Sequence, residues 1–85
     1  MEHTTILKLL NKCYKSKLQC QSKALYTSLL LNTSDTGLVN MDYNYYRDTL
    51  PLKDYDYFKE CLGTLYKYKW LIKDNDNNTF INTNI

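Results

Sequence analysis

Two short apolar segments near the end of the sequence constrain the fold more than any other feature. Trp70-Leu71-Ile72 and Thr79-Phe80-Ile81 flank residues 73–78, a polar run of lysine, aspartate and asparagine. Asparagine and aspartate tolerate the left-handed backbone of tight turns, and the flanking segments are rich in strand-forming residues. The pattern predicts a β-hairpin over residues 70–81.

The residues before this hairpin predict a helix with one narrow apolar stripe. Its apolar residues recur at intervals of three and four and are Phe58, Cys61, Leu62 and Leu65. Asp54 precedes the stripe at the position of an N-cap, and the helical pattern continues through roughly Lys69. We expect this helix to pack its stripe against the core.

The first part of the chain predicts two further helices. The first runs from Thr4 to about Tyr14, and its buried stripe is expected to consist of Ile6, Leu9, Leu10 and Cys13. The polar stretch Lys15-Ser16-Lys17 is expected to break this helix. Helical spacing resumes from Leu18 and continues to about Asn32, where turn-forming residues over 32–37 end the second helix.

The middle of the chain predicts a short strand and a short helix. Leu38-Val39-Asn40-Met41 alternates in polarity, which favours a strand. Asp42 is a suitable N-cap for a helix that Pro51 ends. The residues that this short helix is expected to bury are Tyr43, Tyr46 and Leu50.

This order of elements, with the residues at its core positions, resembles the winged helix-turn-helix domains of phage and plasmid replication proteins. The resemblance covers about residues 22–84 and rests on Leu25-Tyr26, Leu29-Leu30, Asp35, Gly37-Leu38-Val39, Leu50-Pro51-Leu52, Phe58, Leu62, Leu65 and Trp70-Leu71-Ile72. Two features depart from the family pattern. Lys69 stands where many such domains have glycine, and the turn before the longest helix of the domain carries Pro51.

The resemblance implies a mainly α fold with a small β-hairpin wing, that is, an α+β winged helix-turn-helix with an extra N-terminal helix. We expect a single domain over residues 1–85, with a basic N-terminal helix over 1–17 and the winged-helix core over 18–84. In such domains the third helix of the winged-helix core, here 54–69, enters the major groove of DNA, and the wing contacts the backbone or minor groove.

Charge is unevenly distributed along the chain. Residues 1–34 carry five lysines and one glutamate, a net charge of +4, whereas residues 35–85 carry six basic and eight acidic side chains, a net charge of −2. The first residues lack the pattern of a signal peptide, and no segment has the length of a membrane span. Three cysteines without a Cys-x-x-Cys pair favour a reducing compartment, so a cytoplasmic protein is predicted.

Few side chains are suited to catalysis or to metal binding. The one histidine, His3, lies at a terminus expected to fray, so a serine or cysteine nucleophile lacks an ordered base. His3, Cys13, Cys20 and Cys61 do not have the spacing of a compact zinc site, and Cys13 and Cys61 fall in apolar stripes. The sequence predicts a binding protein with no catalytic residues, no cofactor and no metal.

Binding of double- or single-stranded DNA is one of two functions that the sequence leaves open. Affinity for DNA comes largely from neutralising phosphates, so lysines are the main candidates. The expected contacts are Lys8, Lys12, Lys15, Lys17, Lys23, Tyr57, Lys59, Thr64, Lys67 and Lys73. Asp56 and Glu60 on the 54–69 helix, and Asp74 and Asp76 in the hairpin, oppose this function because they repel phosphates.

The other function is a protein-interaction module, such as a small subunit or inhibitor of a polymerase, primase or helicase. Tyrosine is favoured at interfaces because it is large, stiff and able to hydrogen bond. Seven tyrosines between positions 43 and 68 are too many for one small core, and the expected partner contacts are Tyr43, Tyr45, Tyr55 and Tyr57. A homodimer through the N-terminal helices is compatible with both functions. Either one would serve replication or regulation of a mobile genetic element or phage.

Overall fold

The computed structural model of the chain describes residues 1–47 and 54–85. Within these ranges the protein is mainly helical and ends in a small antiparallel sheet, the α+β class that the sequence predicts. The elements are α1 (His3–Lys15), α2 (Cys20–Leu31), α3 (Tyr43–Arg47), α4 (Tyr55–Lys67), β1 (Leu71–Lys73) and β2 (Thr79–Ile81). None of these helices is both long enough and apolar enough to cross a membrane.

α1 and α2 pack against each other, and of the predicted stripe of α1, Leu9 and Cys13 are buried whereas Ile6 and Leu10 are half-buried. Their buried residues are Leu9 and Cys13 in α1 and Ser22, Leu25, Tyr26, Leu29 and Leu30 in α2. α1 ends at Lys15, inside the stretch predicted to break it. Ser16 has extended backbone there, and its hydroxyl donates to the Cys13 carbonyl at 2.6 Å. α1 therefore shares one core with the helices that follow.

The segment after α2 turns as predicted but does not form the predicted strand over residues 38–41. Gly37 has a left-handed backbone with a φ of 84°. Among the described residues, a single bridge from Leu38 to Phe80 joins this segment to β2. The backbone then leaves the sheet because Asn40 Oδ1 accepts a hydrogen bond from the Asp42 N–H at 3.0 Å, and this local bond replaces strand pairing.

α3 begins at the predicted cap. The Asp42 carboxylate accepts a hydrogen bond from a backbone N–H of the helix at 3.0 Å. Tyr46 is fully buried, as predicted, and its hydroxyl donates to the Asn40 carbonyl at 2.6 Å. The predictions for Leu50 and Pro51 lie outside the described residues.

Both ends of α4 are capped. The Asp54 carboxylate accepts a backbone hydrogen bond from the first turn at 2.8 Å, as predicted. At the other end Lys69 has a left-handed backbone with a φ of 67°, and the Trp70 N–H donates to the Leu65 carbonyl at 2.9 Å. This is the Schellman motif, and it ends α4 at Lys67, two residues before the predicted end.

β1 and β2 form the predicted hairpin, with β1 displaced by one residue. The register pairs Leu71 with Ile81, Ile72 with Phe80 and Lys73 with Thr79. Trp70, which was expected in the strand, belongs to the cap of α4 instead. It is 7% exposed, and its ring meets Tyr26 edge-on with 5.1 Å between ring centres. Trp70 thereby fixes the base of the hairpin to α2.

Candidate functional site

Three of the predicted lysines form a ridge on the exposed side of α1. Lys8, Lys12 and Lys15 are exposed and lie opposite the buried stripe of the helix, and we refer to them as the lysine ridge. The ammonium group of Lys12 donates to the backbone carbonyl of Ile85. Lys8 and Lys12 line a shallow hollow of about 350 Å³ together with Thr83. The described lining of this hollow contains no carboxylate, so Lys8 and Lys12 give the hollow a positive potential.

The other two lysines of the N-terminal segment lie away from the ridge. Lys23 is half-buried and donates to the Tyr14 carbonyl at 2.9 Å, so it stabilises the C-terminal end of α1. Lys17 is exposed in the loop between α1 and α2. The Ser16 hydroxyl orders this loop by accepting a hydrogen bond from the Leu18 N–H at 3.3 Å. Of the two lysines, Lys17 is the one available to a ligand.

The loop between α1 and α2 faces the C-terminal half of α4 across an open groove of about 530 Å³. The groove is lined by residues 16–19, Glu60, Thr64, Lys67, Tyr68 and Trp70, and we call it the basic groove. Three of the predicted contacts, Lys17, Thr64 and Lys67, therefore meet in one place. Glu60 is the one carboxylate among the lining residues, so the two lysines leave the groove positively charged.

The first turn of α2 adds to this positive potential. Gln19 lines the groove and is the N-cap of α2, yet its side chain makes no capping hydrogen bond. The first turn of α2 also contains no acidic residue. The N–H groups at the start of a helix carry partial positive charge, and here no carboxylate from the turn offsets it. The groove wall formed by this loop thus favours an anion.

The exposed face of α4 is nearly balanced in charge. Asp56 and Glu60 oppose Lys59 and Lys67, and all four side chains are exposed. The ammonium group of Lys67 lies 5.5 Å from the ring centre of Tyr68, a cation–π contact at the edge of the groove. The exposed face of α4 consequently carries no net charge from these four residues, whereas the lining of the basic groove carries a net positive charge.

Tyr57 and Thr64 are less exposed than predicted, since both are half-buried. Tyr57 packs against the core next to Cys61, which lies one helical turn further on and is 4% exposed. Tyr57 was predicted to face outward, but it lies one turn before Cys61 at the edge of the buried stripe and is therefore half-buried. Thr64 still lines the groove, although its hydroxyl donates to a backbone carbonyl of the preceding turn at 3.2 Å.

The tip of the hairpin is acidic, as predicted. Asp74 Oδ1 accepts hydrogen bonds from the backbone N–H groups of Asp76 and Asn78, both at 2.9 Å. Hydrogen bonds from Asn78, followed by that from Asp76, hold the pKa of Asp74 below its ordinary value. The ammonium group of Lys73 lies 5.1 Å from the ring centre of Tyr66 on α4. The tip therefore presents carboxylates that repel phosphates.

Some of the predicted partner-binding tyrosines pack against neighbouring rings, and others are exposed to solvent. Tyr43 is half-buried and meets the rings of Tyr55 and Phe58 edge-on, each with 5.2 Å between ring centres. Tyr45 and Tyr55 are 45% and 53% exposed. The Tyr45 hydroxyl donates to Asn32 Oδ1 at 2.8 Å. Tyr45 and Tyr55 remain accessible to a partner, whereas Tyr43 mainly joins α3 to α4.

The buried thiols offer little reactivity. Desolvation raises the pKa of Cys13, against a smaller opposite effect of Lys23, and desolvation also raises the pKa of Cys61. A thiol with a raised pKa is protonated at neutral pH and is a poor nucleophile. In the part of the chain that the structure describes, no three His, Cys, Asp or Glu side chains come together as a group that could hold a metal ion.

Sequence reasoning missed the side of the basic groove that Ser16, Gln19 and Trp70 form. The predicted break at residues 15–17 was the available signal, because a helix break creates a loop. The distance of that loop from α4 depends on how α1, α2 and α4 pack, and periodicity carries no information about this packing. The groove could therefore be recognised only from the assembled helices.

Comparison of the chain with protein-family models, curated proteins and solved structures gives no match. No relative therefore supplies a function for the groove or the ridge. The side chains themselves indicate what the surface can bind, since positive charge, an open cavity and an exposed aromatic ring coincide at the basic groove.

Proposed function

We propose that this chain is a non-catalytic winged helix-turn-helix protein that binds DNA through the basic groove and the lysine ridge. The order of α2, the bridge at Leu38, α3, α4 and the hairpin supports this fold, since the family that the sequence resembles has the same order. The left-handed backbone of Lys69 supports it as well. Many of those domains have glycine at this position, and glycine adopts such a backbone most readily.

The meeting of Lys17 and Lys67 across the groove carries the proposal. One lysine comes from the loop before α2 and the other from the last turn of α4. Lys15 of the lysine ridge lies two residues before Lys17, so the positive charge continues from the groove onto α1. A line of lysines along two elements fits an extended polyanion, whose phosphates they neutralise, better than it fits a small anion.

The groove favours contact with phosphates over the reading of base edges. Asp56 and Glu60 repel the backbone of a duplex that docks directly on α4. Tyr68 is 57% exposed beside the groove and offers a ring on which an unpaired base can stack. We expect weak, strongly salt-dependent binding, with single strands bound at least as tightly as duplexes.

Two double variants of equal charge test the site. Lys17→Gln with Lys67→Gln removes two charges from the groove, whereas Lys59→Gln with Lys73→Gln removes two charges from outside its lining. We expect the affinity for a labelled oligonucleotide at low salt, measured by fluorescence anisotropy, to fall about tenfold in the first and less than about threefold in the second. Equal losses would mean that only net charge matters. Absence of binding to any DNA by the unmodified chain would refute the proposal.

A protein-interaction module is the second candidate, as a small subunit or inhibitor of a replication enzyme. The exposed rings of Tyr45 and Tyr55 favour it. A partner recovered in stoichiometric amount from the native host, and lost when both tyrosines are changed to serine, would support this role. For either candidate, the resemblance implies a role in replication or regulation of a mobile element or phage, and light scattering would report a homodimer.

A further inference from the structure

The outer face of the hairpin carries an apolar row that the proposed DNA contact does not use. Leu38 pairs with Phe80 through the isolated bridge, and Phe80 pairs with Ile72 within the hairpin. Residues paired across antiparallel strands project to the same face of a sheet, so these three side chains form one row. Leu38 is 40% and Ile72 43% exposed, and Phe80 is half-buried outside the core.

The opposite face of the sheet is occupied by the core. Leu71, Thr79 and Ile81 are buried there, as is Val39 next to the bridge. Successive side chains of a strand point to opposite faces, so burial of these residues leaves the apolar row toward solvent. An exposed apolar surface rimmed by polar groups is typical of a site of protein contact.

The rim of the apolar row is polar and acidic. Asp74 and Asn78 follow the row toward the tip of the hairpin, and Asn82 follows it at the other end. Asp76 is exposed at the tip. Lys73, the cation of β1, lies on the other face over the ring of an α4 tyrosine. The carboxylates of Asp74 and Asp76 therefore disfavour a phosphate polymer at this end of the row and favour a protein with basic side chains.

A second copy of this chain fits the row poorly. Two-fold pairing of the outer faces about an axis along the strands would bring Asp74 and Asp76 of both copies together, and like charges repel. The row is also small, since all three of its side chains are less than half exposed. A stable interface buries about 800 Å² on each partner, far more than these three side chains expose. A short segment of a different protein needs much less area.

We propose that the outer face of the hairpin, centred on Leu38, Phe80 and Ile72, docks a short segment of another protein in which aliphatic or aromatic side chains stand next to lysine or arginine. The apolar side chains of that segment cover the row, and its basic side chains meet Asp74 and Asp76. The residues of this face do not line the basic groove. The chain can therefore hold DNA and a protein segment together and so join the two.

The test uses the whole chain, immobilised, and a phage-displayed library of random linear peptides as the probe. We expect the enriched peptides to combine apolar residues with lysine or arginine. A synthetic peptide of that sequence should bind the Leu38→Thr, Ile72→Thr double variant about tenfold more weakly than the unmodified chain. Asp76→Asn, which removes one charge from the exposed tip, should weaken binding less and reduce its salt dependence.

Leu31→Gln is the matched control, because Leu31 is an apolar residue of α2 that is 61% exposed and lies outside the row. This variant should bind the peptide like the unmodified chain. Failure to enrich any peptide, or equal binding by the Leu38→Thr, Ile72→Thr variant, would overturn the proposal. So would weaker DNA binding by that variant, since the face would then belong to the DNA contact. Thermal melting of each variant shows that it is folded.

Discussion

The basic groove and the outer face of the hairpin rest on one core but present opposite chemistry. The groove combines Lys17 and Lys67 with one carboxylate, whereas the outer face combines an apolar row with the carboxylates of Asp74 and Asp76. The period of an element determines which of its side chains are exposed, and packing brings the elements of each surface together. The helices turn polar residues away from their buried stripes, and the strands expose every second residue. The two surfaces thus differ in charge, and we propose DNA as the ligand of the groove and a basic protein segment as the ligand of the outer face.

Among the predicted changes, loss of the lysine ridge should have the largest effect on the affinity for DNA. We expect Lys8→Gln, Lys12→Gln and Lys15→Gln together to weaken DNA binding by more than about tenfold at low salt, because each lysine neutralises a phosphate. The dependence of log affinity on log salt should also become shallower. As a control, Asn75→Ser with Asn77→Gly alters the hairpin tip while respecting the positive φ of Asn77, and it should have little effect. Equal effects of the two variants, measured by anisotropy titration, would contradict this prediction.

Loss of a buried tyrosine hydroxyl should change the free energy of unfolding in opposite directions at two places in the core. Tyr26 packs on Trp70 at the groove, and among the described residues its hydroxyl is buried with no hydrogen-bond partner. Tyr46 donates to Asn40, which lies next to the sheet. Tyr46→Phe should lower the free energy of unfolding by about 1–2 kcal/mol, whereas Tyr26→Phe should raise it by about 1 kcal/mol. Urea denaturation measures both, and destabilisation by Tyr26→Phe would mean that its hydroxyl is partnered.

Two substitutions, one that introduces glycine and one that removes it, test the backbone geometry of α4, which forms one wall of the groove. Lys69→Gly should raise the free energy of unfolding by about 1 kcal/mol, because Lys69 has a positive φ of 67° that costs least in glycine. Gly63→Ala should raise it by about 0.5–1 kcal/mol, since Gly63 is inside the helix and a Cβ there meets nothing within 4 Å. Destabilisation by either change would contradict the backbone geometry of this helix. Guanidinium denaturation of the two variants provides the comparison.

The pH dependence of stability should trace in part to the hairpin tip. Hydrogen bonding lowers the pKa of Asp74 in the folded chain, so its stabilising contribution is present above the ordinary carboxyl pKa and is lost as the pH falls through the lowered value. Between about pH 5 and about pH 2, Asp74→Asn should lose less stability than the unmodified chain. Asp76→Asn, which keeps the carboxylate that accepts the backbone bonds of the turn, is the control and should retain the dependence.

Much of the fold could be predicted because its determinants are local. The apolar spacing of α4 and the caps at Asp42 and Asp54 lie within a few residues of the helices that they define. The predicted strand over 38–41 failed because a side-chain bond of Asn40 turns the backbone away. β1 was predicted to begin one residue too early because Trp70 belongs to the cap of α4. In both cases a short-range hydrogen bond outweighed the strand propensity on which the prediction depended.

The candidate site was less accessible from sequence. Periodicity was sufficient for the lysine ridge, since one helix determines its arrangement. It was not sufficient for the groove, because Lys17 and Lys67 meet only through the packing of three helices. The apolar row could not be predicted from the sequence either, since the bridge from Leu38 to Phe80 is a contact between distant parts of the chain. Surfaces formed by one element could be predicted, and surfaces shared between elements could not.

The most direct test of the proposed function is a titration of the ¹⁵N-labelled chain with a short single-stranded oligonucleotide at low salt, followed by amide chemical shifts. We predict that the largest changes fall on residues 16–19 and on Thr64, Lys67 and Tyr68 of the groove, with smaller changes along the lysine ridge. Ile72 and Phe80 on the outer face should not shift. Changes centred on those two residues, or no changes at all, would contradict the assignment of DNA to the groove.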